Sequence, residues 1–242
     1  FFVLLDPSFP KDRIAIILED SQATLMLTDQ RNIAVARQAA DPGCRIVEFE
    51  SIGDRVAGQD LGLRISPKAL AHIIYTSGST GRHKGVVQNH VNQLHFVMRT
   101  TNADRVSARD SIALLSSGTA NTVTNALIAL LNGAELLPFD VKEKGTSDLA
   151  NWLLKERISV CPIAAPLFRK LCEDLTGEER FLDLRFLRLS SDTVYKTDVE
   201  LYKKYFPSTC ILGTGLASSE TGPIRKYLIN HNTEITGDEV PV

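Results

Sequence analysis

The chain has 242 residues, 43% hydrophobic and 23% charged, with a formal net charge of −2 at pH 7. This is ordinary globular composition, and with no long basic run it predicts neither nucleic acid nor an anionic membrane as a partner. The longest apolar stretches, such as 126–131, are too short to span a bilayer. The four cysteines are widely spaced and form no CxxC pair, which is typical of reduced thiols in a cytoplasmic protein.

Apolar segments rich in β-branched residues alternate with amphipathic segments along the chain. The apolar segments predict short buried strands at 24–28, 45–49, 72–75, 112–115, 158–161, 186–189 and 209–212. Helical spacing of apolar residues predicts helices over 11–19, 91–100, 124–131 and 167–175, and a capping box beginning at Thr197 predicts a further helix to Tyr205. This alternation predicts an α/β fold with mostly parallel sheets flanked by helices.

Domain organisation is suggested by one polar stretch, 53–68, which contains three glycines and a proline and predicts a long connection. It divides the chain into candidate subdomain pieces 1–60 and 61–242. The chain begins without methionine inside an apolar run and ends without a feature of a natural terminus. We therefore expect residues 1–242 to be a truncated large domain of a longer protein.

The most informative segment is 75–85, Tyr-Thr-Ser-Gly-Ser-Thr-Gly-Arg-His-Lys-Gly, which follows a predicted strand. Its glycines allow successive backbone N–H groups to surround an anion, its hydroxyls donate hydrogen bonds, and Lys84 supplies positive charge. The spacing differs from the GxxxxGK[ST] pattern of a Walker A loop. A simple surface turn is the alternative, but the preceding strand and the following lysine favour a phosphate-binding loop.

The same segment, with Lys-Gly-Val directly after it, resembles the signature of the adenylate-forming (AMP-binding) superfamily. That superfamily includes acyl-CoA synthetases, luciferases and the adenylation domains of nonribosomal peptide synthetases. His83 stands where the family usually has proline, so the turn before Lys84 is less rigid. Further segments resemble family motifs in family order, at 2–20, 130–134, 190–194 and 215–221. The resemblance covers essentially the whole chain and about half of a family member.

The resemblance implies an enzyme that joins a carboxylate to ATP, with Mg²⁺, to give an acyl adenylate and pyrophosphate. It assigns the β- and γ-phosphates to Thr76, Ser77, Gly78, Ser79, Thr80, Gly81 and Lys84. It assigns Mg²⁺ to Glu220 and the α-phosphate to Ser219, so that Lys84, Ser219 and Glu220 are the candidate catalytic residues. Ser191, Asp192 and Leu216 are the candidate adenine contacts. A solvated carboxylate remains the alternative for Glu220, and a turn residue remains the alternative for Asp192.

The acid-binding pocket is assigned to Ala120, Asn121, Thr124 and Gly215. Amino-acid-activating relatives carry an aspartate that pairs with the substrate ammonium, and the alignment places Ala120 there. No carboxylate lies between Ser111 and Asn132, so a buried ammonium would lack its partner. We therefore expect a small carboxylic acid without an α-amino group, unless Asp192 supplies the charge.

In the family the acyl group then passes to coenzyme A or to a phosphopantetheine carrier domain. The family's C-terminal lid domain, which carries a catalytic lysine, would lie beyond residue 242, and we expect the isolated chain to be inactive. A second hypothesis is a non-catalytic nucleotide-binding or interaction module from a truncated gene. A P-loop phosphotransferase is a weak third, because the Walker A spacing is absent.

Overall fold

The computed structural model describes residues 1–53, 58–77, 83–115 and 120–241, with the backbone alone at 77, 83 and 120. The chain forms two compact units, Phe1–Asn92 and Gln93–Val242. Both contain helices together with sheets that include parallel strand pairs. The predicted α/β class with mostly parallel sheets is therefore confirmed. The division into pieces 1–60 and 61–242 stays a prediction.

The first unit contains a two-stranded and a three-stranded sheet. Its strands are β1 (Phe2–Val3), β2 (Leu25–Thr28), β3 (Arg45–Glu48), β4 (Leu70–Ser77) and β5 (His83–Asn89), and its helices are α1 (Lys11–Ser21), α2 (Ile33–Ala39) and a 3-10 turn, Phe49–Ser51. Strands β2 and β3 are parallel, whereas β4 lies between a parallel β1 and an antiparallel β5. Ile14, Leu18 and Ala39 form a small core between α1 and α2.

The second unit is built on one six-stranded sheet. Its helices are α3 (His90–Asp104, from Gln93 onward), α4 (Ala120–Asn132), α5 (Val141–Lys144), α6 (Ser147–Lys155), α7 (Ala165–Asp174) and α8 (Lys196–Tyr205). Its strands are β6 (Ser111–Leu114), β7 (Glu135–Pro138), β8 (Val160–Ala164), β9 (Phe186–Ser190), β10 (Ile211–Ser218) and β11 (Gly222–Ile229). The strand order is β11-β10-β9-β8-β6-β7, and only the β10–β11 pair is antiparallel.

The two faces of this sheet pack against different helices. Leu187 and Leu189 of β9 point to the larger core with α6, α7 and α8, where Phe168 and Tyr202 are fully buried. Phe186 of β9 points the other way, into a smaller core with residues of α3 and α4. Successive residues of a strand alternate between faces, so Arg188 and Ser190 lie on the same face as Phe186.

The amino ends of β6, β8 and β9 are held together by a charged network. Asp110 accepts hydrogen bonds from Arg185 at 2.7 Å and from the Ser159 hydroxyl at 2.7 Å. Burial alone would raise the pKa of Asp110, but these hydrogen bonds outweigh burial and lower the pKa to about 2. This edge of the sheet is therefore occupied by structural contacts. Ligand sites of parallel sheets lie at the opposite edge, beyond the carboxyl ends of the strands.

Each predicted strand overlaps an observed one, but β1, β5, β7 and β11 were not predicted. Strand β5 begins within the glycine-rich segment and β11 follows the turn after Glu220, so neither has an isolated apolar run. The capping box at Thr197 is wrong, because α8 begins at Lys196. Asp198, rather than Glu200, accepts the hydrogen bond of the N-cap residue, from the Tyr195 N–H at 2.9 Å.

A buried histidine on β4 makes the first unit sensitive to acid. His72 is 1% exposed and stacks on Phe2 at 5.5 Å, and within the described residues neither ring nitrogen has a hydrogen-bond partner. Burial, followed by the charge of His90, lowers the pKa of His72. The pKa of His72 is thus lower in the folded chain than its unfolded value of about 6.5. The stability of the fold is therefore complete above about pH 6.5 and is lost as the pH falls toward the folded pKa.

We therefore expect the midpoint of thermal unfolding to drop between pH 7.5 and pH 5.5, and the drop to be smaller in His72→Gln. Circular dichroism at both pH values measures it. His95→Gln, which removes an exposed histidine, serves as the control and should retain the full drop. Equal acid sensitivity in His72→Gln and the original chain would contradict the expectation.

Candidate functional site

The described ends of the phosphate-loop candidate lie on the paired strands β4 and β5. The antiparallel register places Thr76 opposite Lys84 and Ser77 opposite His83. Lys84 is exposed, and Thr76 is partly buried. The four predicted phosphate contacts Gly78, Ser79, Thr80 and Gly81 lie outside the described residues. The described ends of the segment therefore show Lys84 and Thr76 as cross-strand neighbours at the base of this loop.

The base of the hairpin is tied to the rest of the first unit. The Tyr75 hydroxyl donates a hydrogen bond of 2.5 Å to Asp20 at the end of α1. Burial, the hydrogen bond to Asp20 and the charge of Asp20 all raise the pKa of Tyr75, in that order. Gly85, beside Lys84, is packed so closely that a Cβ there would lie 3.0 Å from Ile73. These contacts fix the backbone on both sides of the loop.

The second unit carries its candidate residues at the carboxyl edge of the large sheet. Ser190 ends β9, and Ser191 follows it with φ 71°, a left-handed conformation that non-glycine residues rarely adopt. In the neighbouring strand β10, Gly215, Leu216 and Ala217 extend past the point where pairing with β9 ends at Gly213. Parallel pairing of β9 and β10 thus brings the two candidate segments to one edge.

Asp192 is already engaged by an arginine that the sequence analysis did not single out. Arg169 of α7 donates to Asp192 at 3.2 Å and to the Thr193 carbonyl at 2.7 Å. The same guanidinium binds both carboxylate oxygens of the buried Asp198, at 2.8 and 2.9 Å. These partners raise the pKa of Arg169, with the Asp198 hydrogen bond as the largest contribution. Arg169 therefore fixes the loop that follows β9.

The candidate metal ligand lies in the turn between β10 and β11. Ser219 and Glu220 belong to this turn, which is closed by the Ser218 and Thr221 hydroxyls at 2.8 Å. Glu220 is exposed. Leu216 is 51% exposed, and the strand register shifts directly after it. Gly222, directly after the turn, has a φ of 67°. A Cβ at this position would lie 2.5 Å from the Phe96 ring. Glycine at 222 is thus required for the turn to close.

The candidate acid pocket begins at the first residues of α4. The helix begins at Ala120, with Asn121 exposed and Thr124 partly buried. Gln93 of α3, which is 4% exposed, donates to the Thr124 hydroxyl at 3.3 Å. Residues 116–119 and the side chain of Ala120 lie outside the described part of the chain. Asn121 and Asn125 are four residues apart, so they share one face of the helix.

Sequence reasoning missed two cations on the same side of the sheet. Arg188 of β9 binds Asp104 of α3 at 2.8 Å, and the ammonium of Lys226 in β11 contacts the other oxygen of Asp104. The sequence did indicate a role for Arg188, because a charged residue inside an otherwise apolar strand is rarely buried without a partner. Lys226 had no such signal, since β11 was not predicted.

The described residues contain no group of three histidine, cysteine, aspartate or glutamate side chains that could hold a metal ion. A Mg²⁺ ion bound mainly through nucleotide phosphates needs only one or two protein carboxylates, so the assignment of Glu220 stays a prediction. In the described part of the chain, no helix is both long and apolar enough to cross a membrane.

Comparison with known proteins gives consistent matches. A family model described as "AMP-binding enzyme" matches residues 1–240. Gramicidin S synthase 2 of Brevibacillus brevis is 31% identical over 212 residues, or 86% of this chain and 5% of that protein. Surfactin synthase subunit 2 of Bacillus subtilis (strain 168) is 32% identical over 216 residues, or 86% of this chain and 6% of that protein. The chain thus spans about a twentieth of the length of these relatives.

Solved structures show the same fold at lower identity. The structure of CmiS6 matches with a TM-score of 0.81 at 17% identity, covering 97% of this chain and 56% of that one. The N-terminal domain of FACL13 from Mycobacterium tuberculosis matches with a TM-score of 0.75 at 18% identity, covering 89% of this chain and 56% of that one.

Proposed function

The chain belongs to the AMP-binding enzyme family, and from this premise we propose that it is part of a longer enzyme that joins a carboxylic acid to ATP. The products are an acyl adenylate and pyrophosphate, and the acyl group then passes to a thiol of coenzyme A or of a carrier domain. The proposal is supported above all by the pairing of β4 with β5, which places Lys84 opposite Thr76 at the ends of the sequence segment 77–81 with its glycines and hydroxyls.

The chemistry needs charge stabilisation more than proton transfer. The attacking carboxylate is already an anion, so the barrier comes from bringing it to a polyphosphate and from the charge on the leaving pyrophosphate. Lys84 and the loop 76–81 would hold the β- and γ-phosphates, and the Ser219 hydroxyl would contact the α-phosphate. Glu220 would hold Mg²⁺, which neutralises phosphate charge when bound.

The adenine and acid would lie at the carboxyl edge of the six-stranded sheet. Ser191, Asp192 and Leu216 would line the adenine, and Ala120, Asn121, Thr124 and Gly215 would line the acid. Because Arg169 already binds Asp192, that carboxylate is poorly placed to serve a substrate ammonium as well. This supports an acid without an α-amino group.

Carboxylate-dependent ATP–pyrophosphate exchange by the full-length enzyme tests the function. We expect acids without an α-amino group to be preferred over matched amino acids by about tenfold or more, since a buried ammonium without a partner costs more than about 1.4 kcal/mol. Ala120→Asp should shift the preference toward amino acids. If an ordinary α-amino acid is activated best, the alignment at Ala120 is wrong.

Glu220→Gln keeps the shape of the side chain and removes its charge. We expect the full-length enzyme with this substitution to need more Mg²⁺ for half-maximal exchange, because a neutral amide is a weaker ligand for a hard cation. Glu178→Gln, which changes an exposed glutamate in a loop elsewhere, should leave the Mg²⁺ titration as it was. An unaltered titration in Glu220→Gln would remove this residue from the metal site.

A non-catalytic module remains the second candidate. It would bind nucleotide without pyrophosphate exchange in the full-length protein, so the same assay separates the two.

A further inference from the structure

Four polar side chains meet on the α3–α4 side of the large sheet, and we call them the Arg188 cluster. Arg188 donates to Asp104 at 2.8 Å and also to the side-chain oxygen of Asn125 in α4. The Lys226 ammonium contacts the second oxygen of Asp104. The cluster therefore joins two helices, α3 and α4, to two strands, β9 and β11.

The charges of this cluster do not balance. Among the described residues, the salt bridges of Arg188 and Lys226 both go to Asp104, so two cations share one carboxylate. The Asp104 side chain is fully buried, whereas 19% of the Arg188 side chain and 22% of the Lys226 side chain are exposed. Solvent thus reaches part of each basic side chain and does not reach the Asp104 side chain.

Both basic groups remain cationic at neutral pH. Burial lowers the pKa of Arg188 to about 10 and that of Lys226 to about 8. Each value lies above 7, so both side chains are mostly protonated there. Arginine has five N–H donors and lysine three, which is more than Asp104 and Asn125 occupy in the contacts above. Within the described part of the chain, a second anion would therefore meet further N–H donors and excess positive charge.

A glycine on the intervening strand brings the two cations together. Gly213 of β10 pairs with Arg188 in the sheet, and a Cβ at this position would lie 2.7 Å from the Phe186 ring and 3.2 Å from Cε of Lys226. Because Gly213 has no side chain, Lys226 can extend across β10 and lie 4.8 Å from the Phe186 ring centroid. From there its ammonium reaches Asp104.

The cluster lies next to the candidate acid pocket. Lys226 pairs in the sheet with Gly215, one of the residues assigned to the acid. Asn125, which accepts from Arg188, lies one turn after Asn121 on α4. The Arg188 cluster is therefore linked to residues assigned to the acid by strand pairing at Gly215 and by one turn of α4.

We propose that the Arg188 cluster binds a second anionic group of the substrate, so that the acid activated is a dicarboxylic acid. This rests on the proposed function. One carboxylate would be the nucleophile toward ATP, and the other would bring the cluster to neutrality through charge-assisted hydrogen bonds from Arg188 and Lys226. An α-ammonium would instead be repelled by the same two cations.

Calorimetric titration of the full-length enzyme with glutarate and with pentanoate tests the proposal without requiring catalysis. These acids have the same chain length and differ by one carboxylate. We expect glutarate to bind at least tenfold more tightly, Lys226→Met to abolish that preference, and Lys226→Arg to retain it. Lys155→Met, which changes a lysine that is 82% exposed, is the matched control and should bind as the original chain does.

Equal affinities for the two acids, a preference that survives Lys226→Met, or no binding of either acid would overturn the proposal. A variant that fails to fold is recognised by circular dichroism, and Lys226→Arg then carries the test. The adenylation proposal is judged separately. Selective glutarate binding without pyrophosphate exchange by the full-length enzyme for any acid would refute adenylation alone, whereas exchange that is best with monocarboxylic acids would refute the dicarboxylate assignment alone.

Discussion

Arg169→Met is expected to lower the free energy of unfolding of the second unit by about 3 kcal/mol, the lower end of the range for removing one partner of a buried ion pair. Asp198 has a side chain that is 1% exposed and receives two hydrogen bonds from Arg169. Among the residues that the structure describes, methionine would leave this buried carboxylate with only the Tyr195 N–H as hydrogen-bond partner. The lower end applies because the Arg169 side chain itself is 29% exposed. Urea unfolding followed by circular dichroism measures the change.

Two variants make this measurement specific. Arg157→Met removes an arginine that is 77% exposed and paired with Asp183, and we expect a much smaller loss for such a surface pair. The double variant Arg169→Met with Asp198→Asn should recover part of the loss, since no buried charge is then left unpaired. If Arg169→Met costs no more than Arg157→Met, the pair is not a major source of stability.

Lys84→Ala is expected to weaken ATP binding, or to slow adenylation in the full-length enzyme, by about 1.5–3 kcal/mol, the range for a hydrogen bond to a charged group. That range corresponds to a factor between about ten and about one hundred and fifty. Lys84 is exposed on β5, so its removal should leave no cavity and should not unfold the first unit. Equilibrium nucleotide binding and single-turnover adenylation measure the two effects.

Lys68→Ala is the matched control, because Lys68 is an exposed lysine of the same unit that precedes β4. It should retain the original affinity and rate. Should Lys84→Ala behave like Lys68→Ala, the segment from Thr76 to Lys84 would be an ordinary surface turn.

Local sequence patterns predicted the parallel framework of this protein well, because its strands are short apolar runs. Leu187 and Leu212 are fully buried in the sheet, and the mostly apolar runs around them are what marked these segments as strands. The motif at 215–221 and the loop after Phe186–Ser190 are brought to one sheet edge by parallel pairing of β9 and β10. Knowledge of strand order, which no local pattern contains, was needed to see this.

The contacts of Arg169 and Lys226 could not be predicted, because they join residues that are distant in the sequence. Arg169 precedes Asp192 by 23 residues and Asp198 by 29, so nothing in its own neighbourhood indicates its partners. Lys226 reaches Asp104 only because Gly213 lacks a side chain and β11 folds back on β10. Such long-range pairs depend on the folded chain and give no periodic signal.

The left-handed backbone at Ser191 has a consequence for how this position would respond to random substitution. Side chains in this conformation cost of the order of 1 kcal/mol or more, and glycine escapes that cost. A library selected for thermal stability alone should therefore enrich glycine at 191, followed by asparagine, and should deplete valine and isoleucine. The same library selected for ligand binding would report whether the serine hydroxyl is kept for a purpose other than folding.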